Sequence, residues 1–106
     1  MGLTFKENCP DTRNSKVPEI INILEKNRCK VDVFDPWVKH RDSSFDKKLN
    51  IKIRLKPKQY DAIIVAVAHK IFKNLKVSEY LKLCKKKHII YDLKHILPKK
   101  YVDLRL

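Results

Sequence analysis

Five residues combine a charged or titratable side chain with a place at the end of a regular segment: Lys6, Arg13, Asp35, His69 and Lys94. Lys6 follows Leu3-Thr4-Phe5 and opens a polar loop. Its ammonium is a compact charge with three donors, suited to a phosphate or a sugar hydroxyl, and it is equally one more surface lysine among many. Arg13 lies just ahead of a helical pattern. A guanidinium beside the free N–H groups of a helix start makes an anion site, and a simple pair with Asp11 accounts for it as well. Asp35 ends a β-branched run before Pro36. Dinucleotide folds place a ribose-holding acid at such a point, and Asp-Pro is also an ordinary strand-ending turn. His69 follows the longest apolar run, Ala62 to Ala68, where it either donates to a ligand or ties a loop to the core. Cys9, Cys29 and Cys84 have no CxxC spacing, and His40, His88 and His95 have no metal-ligand spacing with one another or with the cysteines. No serine, cysteine or carboxylate pair has an identifiable base beside it. The residues therefore predict neither a catalytic constellation nor a metal site.

These residues need a frame. Gly2 to Phe5 reads as the end of a strand, and Lys6 to Asn14, with Pro10, as a loop. Ser15 is the predicted N-cap, with Pro18 tolerated in the first turn. Val17, Ile20, Ile21 and Leu24 share one helical face, and the helix should stop near Asn27-Arg28. Val31 to Phe34 is a short strand. Trp37 to Asn50 reads as loop with a helical turn, and Ile51 to Leu55 alternates like a strand. Tyr60 or Asp61 to Ala68 is continuously apolar, as in a strand buried on both faces of a parallel sheet. Phe72 to Lys85 reads as one helix capped at Ser78, and Lys87 to Asp92 as another buried strand. The tail, Tyr101 to Leu104, has no clear type. The order is that of an α/β domain with parallel strands, whose ligands bind beyond the carboxyl ends of the strands. Those ends are Phe5-Lys6, Asp35-Pro36, Ala68-His69 and Asp92-Leu93-Lys94.

The bulk numbers exclude several classes. At 106 residues the chain fits one small domain. Its 25 Lys and Arg against 12 Asp and Glu give a net charge of +13, which attracts polyanions without choosing among them. Its single glycine, Gly2, rules out the three-glycine dinucleotide fingerprint and the glycine-rich phosphate loop. The unpaired cysteine pattern and the lack of a signal layout or a membrane-length apolar run predict a soluble, cytoplasmic protein without membrane contact.

The run Gly2-Leu3-Thr4-Phe5-Lys6-Glu7-Asn8-Cys9-Pro10-Asp11-Thr12-Arg13-Asn14-Ser15 resembles the opening of the C-terminal domain of nucleotide-sugar 6-dehydrogenases, with the pattern G-x-x-F-K-x-x-x-x-D-x-R-x-S. Val31 to Val38 resembles that family's second strand and turn. Tyr60-Asp61-Ala62-Ile63-Ile64-Val65-Ala66-Val67-Ala68-His69 resembles its Ala-Val-Ala-His strand, and Tyr91-Asp92-Leu93-Lys94 its Asp-x-Arg/Lys element. The wording is most similar to the UDP-N-acetylglucosamine and UDP-N-acetylgalactosamine branch, including Vi-polysaccharide-type enzymes. The resemblance implies a Rossmann-like three-layer α/β/α domain with a mainly parallel sheet and a truncated first strand. It implies that residues 1–106 are a C-terminal UDP-sugar-binding domain without the NAD-binding and central catalytic domains. By matching position, Phe5, Lys6 and Lys94 would contact the UDP-N-acetylhexosamine, and Arg13 would reach NAD across the cleft. NAD belongs to the parent enzyme, and this chain holds no complete site for it. The parent oxidises a sugar C6 hydroxyl to a carboxylate for polysaccharide precursors. None of the three cysteines matches the catalytic one, so the chain alone is expected to be inactive.

Other expectations follow from other features. The partners implied are the missing N-terminal domains and, through an incomplete central strand, a second copy of the chain. The +13 charge fits a small basic nucleic-acid-binding domain, against which the run at residues 2–15 argues. An inert remnant of an interrupted gene, folded and binding nothing, is the third reading.

Overall fold

A computed structural model describes residues 1–38 and 49–105. Within them, helix α1 spans Val17–Lys26, followed by strands β1 (Asp32–Val33), β2 (Asn50–Ile51) and β3 (Tyr60–Val65). Helices α2 (Lys70–Asn74) and α3 (Val77–Leu83) come next, then β4 (Cys84–Asp92), a 3₁₀ turn at Lys99–Tyr101, and β5 (Leu104–Arg105). Most of the expected loop from Trp37 to Asn50 lies outside the described residues.

All described strand pairings are parallel. β1 pairs with β2, and β4 lies between β3 and β5. Residues 1–3 join the two groups. The Gly2 N–H donates to Phe34 O at 2.9 Å, and the Ala66 N–H donates to Met1 O at 2.9 Å. The Met1 ammonium donates to Ile64 O at 2.6 Å. The chain start is therefore a short length of central strand, set between β1 and β3. Gly2 sits there at φ +96°, and a Cβ on it would lie 2.6 Å from Val67 Cβ. Only glycine accommodates both the left-handed conformation and that approach.

Helices cover both faces of the sheet. The face of α1 that carries Ile21 packs with Leu3, Val33 and Val38. On the other side Tyr80 of α3 packs with Ile63, Val65, Ile90 and Leu97. Large side chains buried this fully contribute roughly 2 kcal/mol each. This is the α/β class read from the sequence, and it accords with a Rossmann-like layout.

Several boundaries differ from the expectations. The residue that caps α1 is Lys16, not Ser15, although the Ser15 hydroxyl still accepts from the Val17 N–H at 3.3 Å and donates to Leu3 O at 2.6 Å. Ser15 thus secures the helix start from one residue further out. The predicted strand at Ile51 to Leu55 is confined to Asn50–Ile51, because its ladder partner β1 is only two residues long. β3 ends at Val65, not Ala68, as the chain turns towards α2. The single helix expected from Phe72 to Lys85 is two helices, broken where Leu75 and Lys76 turn extended (ψ 136° and 148°). The break is satisfied locally: the Lys76 N–H donates to Glu79 Oε2 at 3.1 Å, so Glu79 rather than Ser78 secures the start of α3. It is also tied at a distance, since the Tyr80 hydroxyl donates to Phe72 O at 2.6 Å. β4 starts at Cys84, so Lys85 belongs to a strand and not to a helix end. The tail resolves into the 3₁₀ turn and β5.

Candidate functional site at the carboxyl ends of the strands

The parallel arrangement brings the ends of residues 1–3, β1, β3 and β4 to one edge, which is where the charged residues singled out in the sequence gather. The loop from Thr4 to Arg13 crosses this edge. Its shape depends on Asp35, whose side chain is fully buried at the end of β1. Asp35 Oδ2 accepts from the N–H groups of Leu3 at 2.6 Å and Thr4 at 3.1 Å. Oδ1 accepts from the Trp37 N–H at 2.9 Å. A buried carboxylate is tolerated only when donors surround it in this way.

The remaining partner of Asp35 is His69. Its Nε2 lies 2.9 Å from Asp35 Oδ2 and 3.2 Å from Thr4 Oγ1. The other ring nitrogen, Nδ1, accepts from the Asn8 N–H at 2.8 Å. An acceptor at Nδ1 places the ring proton on Nε2, so His69 donates to the carboxylate. Asn8 closes the circuit, since its Oδ1 accepts from the Lys70 N–H at 2.8 Å. The ring also packs against Phe72 at 5.3 Å and Trp37 at 6.2 Å between centroids. Of the two readings open for His69, the structure shows the loop tie. For Asp35 it shows the strand-ending turn, with no exposed oxygen left for a ribose.

This network holds the loop from beneath and sends two side chains outward. Phe5 is 50% exposed, although the loop backbone is fixed where the Phe5 N–H donates to Asp11 O at 2.9 Å. Lys6 is exposed, and its carbonyl accepts from the Thr4 hydroxyl at 2.9 Å. An aromatic ring and an ammonium side by side on a rigid loop can pack on a base or sugar and neutralise a phosphate.

Arg13 is paired with Asp11, with Nε–Oδ1 at 3.1 Å and Nη2–Oδ2 at 3.3 Å. The pair holds the Asp11 carboxyl below its ordinary range and raises the guanidinium, through the side-chain hydrogen bonds first. Lys94 is exposed beyond β4, and its N–H donates to Asp92 Oδ1 at 3.1 Å. Asp92 is fully buried, and its Oδ2 accepts from the Leu97 N–H at 2.8 Å. Lys94 thus stands on a turn fixed by a buried carboxylate, as Lys6 stands on one fixed by Asp35. Phe5, Lys6 and Lys94 lie along the same edge, with the end of β3 between the Phe5-Lys6 loop and the Lys94 turn. Arg13 lies at the far end of the loop, before α1.

Sequence reasoning missed Asn8, Thr4 and Asp92 as positioning residues. Asn8 carried one signal: asparagine tolerates left-handed backbone, and it sits at φ 54°. Arg105 carried none. Its Nη2 donates to Leu97 O, and its buried Nε meets no partner among the described residues. Among the described residues no group of His, Cys, Asp or Glu could hold a metal ion, and no helix is long and apolar enough to cross a membrane.

A parallel α/β domain that fixes a loop at the carboxyl ends of its strands, with an aromatic ring and cations outward, has the layout of a nucleotide-ligand domain. The chain belongs to the UDP-glucose/GDP-mannose dehydrogenase family: residues 1–99 match that family's UDP binding domain. It is 43% identical over its whole length to a UDP-N-acetyl-D-glucosamine 6-dehydrogenase of Salmonella typhi, and 47% identical to one of Pseudomonas aeruginosa. It is 36% identical, over 92% of its length, to Protein CapL of Staphylococcus aureus. The chain spans about a quarter of the length of these curated relatives, 25% of the first two and 23% of the third. No solved structure matches it.

Proposed function

We propose that residues 1–106 form the domain that closes over the sugar nucleotide in an NAD-dependent UDP-N-acetylhexosamine 6-dehydrogenase of the cytoplasm, in the service of polysaccharide precursor synthesis. The observation that carries this reading is the Asp35–His69–Asn8 network, which holds the Phe5-Lys6 loop at the ligand edge of a chain of this family. Phe5 packs on the sugar nucleotide, Lys6 meets a phosphate or sugar oxygen, and Lys94 meets the substrate from the end of β4, on the far side of β3. The two lysines each supply a mobile ammonium on a fixed turn, so they position an anion without shaping it as a guanidinium fork would.

NAD, when bound, supplies the hydride acceptor for the two oxidation steps. A single glycine gives this chain no pyrophosphate-binding turn, so its contribution to NAD is the Arg13 side chain. Asp11 occupies Nε and Nη2, which leaves the Nη1 donors for an oxygen across the cleft. The remaining NAD contacts and the chemistry fall to the N-terminal domains of the enzyme, which are the partners this reading requires. Self-association of the chain belongs to the same reading.

Complementation tests it. A UDP-N-acetyl-D-glucosamine 6-dehydrogenase shortened to end before its UDP binding domain is mixed with this chain, and NADH is followed by absorbance. The expected result is NADH from the mixture and none from either part. NADH from this chain alone would contradict the division of labour.

A further inference from the structure

Lys94 stands on the turn from Leu93 to Leu97, and that turn is built on Asp92. The Asp92 side chain is fully buried and accepts from two backbone donors, the Lys94 N–H at 3.1 Å and the Leu97 N–H at 2.8 Å. Asp35, the buried carboxylate under the Phe5-Lys6 loop, has the N–H groups of Leu3, Thr4 and Trp37 and the His69 ring besides. A buried carboxylate with fewer donors depends more on a counter-charge. Among the described residues Arg105 supplies it, with Nη2 at 4.0 Å from Asp92 Oδ2.

The sheet puts Arg105 there. β5 pairs with β4 in parallel, with Arg105 opposite Asp92, so both side chains leave the same face. Asp103 secures that register: its N–H donates to Ile90 O at 2.9 Å, and its Oδ2 accepts from the Ile90 N–H at 2.8 Å. The Arg105 Nη2 also donates to Leu97 O. Both backbone groups of Leu97 are thus taken, the N–H by Asp92 and the C=O by Arg105, and its side chain is buried with Tyr80 and Ile90. The other end of the turn is held where the Leu93 N–H donates to Val65 O at 3.1 Å. Between these anchors His95 sits at φ 56°, a left-handed conformation that a residue with a side chain keeps where its surroundings impose it.

We propose that Arg105 is a positioning residue for Lys94: it neutralises Asp92 and clamps Leu97, and so fixes the turn from which the Lys94 ammonium meets the sugar nucleotide. The inference rests on the reading of Lys94 as a substrate contact. Arg105 acts through the turn and touches no ligand. Its side chain is only 24% exposed, so solvent screens the charge pair weakly. A guanidinium suits both tasks, since it spreads its charge over a planar fork with separate donors, whereas an ammonium is a single point. Holding the turn in advance spares the ligand the cost of ordering Lys94 on binding.

Amide exchange and calorimetric titration with UDP-N-acetylglucosamine test this on the native chain, Arg105→Met, Lys94→Ala and the double variant. In Arg105→Met, exchange at Lys94 and Leu97 should quicken about tenfold or more, with Asn8 unchanged. Affinity should fall about fivefold, and no further when Lys94 is already alanine. Arg105→Lys keeps the charge without the fork, so it should restore part of the affinity, and it reads the same amides if Arg105→Met fails to fold. Unchanged exchange at both amides overturns the proposal. So does an equal loss of affinity with and without Lys94, which would make Arg105 a direct ligand contact or a general support of the fold. A native chain that binds no UDP-N-acetylglucosamine, with exchange as expected, would contradict the Lys94 contact itself and leave Arg105 no site to position.

Discussion

Asp35 and His69, 34 positions apart in the chain, meet at 2.9 Å with both side chains fully buried. Their contact fixes the turn after β1, the end of the β3 segment and the loop that carries Phe5 and Lys6. The candidate site is therefore only as ordered as this pair.

Breaking the pair from either side should show it. His69→Ala leaves Asp35 short of a donor, the Asn8 N–H without its acceptor, and a cavity beside Phe72. We expect a loss of about 3 kcal/mol in urea unfolding. We also expect faster amide exchange at Asn8 than at Ile90. A loss below about 1 kcal/mol would mean that the loop is held by other contacts.

Gly2 should resist replacement. Gly2→Ala sets a Cβ 2.6 Å from Val67 Cβ and 2.8 Å from the Val67 nitrogen, at φ +96°. Backbone cannot move aside as a flexible side chain can, so a loss of more than about 2 kcal/mol is expected by thermal or urea unfolding.

How far the sequence told this in advance varies with the range of the forces involved. The spacing of Val17, Ile20, Ile21 and Leu24 reveals α1, because one apolar stripe facing the core suffices to define it. The β3 and β4 runs are legible as parallel strands from their apolar, β-branched residues, but not as strands buried on both faces, since Ala62 and Ile89 are exposed. The break between α2 and α3 is not legible from periodicity, since it depends on Glu79 reaching Lys76 and on Tyr80 reaching Phe72 O. At the site, the strand-end positions of Lys6, Asp35, His69 and Lys94 follow from the α/β order. Their partners do not, because Asn8 and His69 are 61 residues apart. The choice between a ligand-facing and a loop-tying His69 needs that contact.

Two side chains report their surroundings by titration. Tyr60 donates to Asp32 Oδ2 at 2.8 Å, and burial with this bond pushes its pKa up to about 12. Phenolate absorbance should show a late-ionising tyrosine that moves down towards ~10 in Asp32→Asn. Cys84 is buried and its thiol is pushed up by desolvation, whereas Cys29 is exposed. A disulfide reagent should label Cys29 at once and Cys84 only on unfolding.

The central claim, that the Phe5-Lys6 loop binds a sugar nucleotide, is tested most directly by calorimetric titration near physiological salt. UDP-N-acetylglucosamine, UDP and a random DNA duplex are compared on the native chain and on Lys6→Ala. The account predicts UDP-selective binding that Lys6→Ala weakens about tenfold or more, with folding unchanged. Steeply salt-dependent DNA binding with no response to UDP would contradict it.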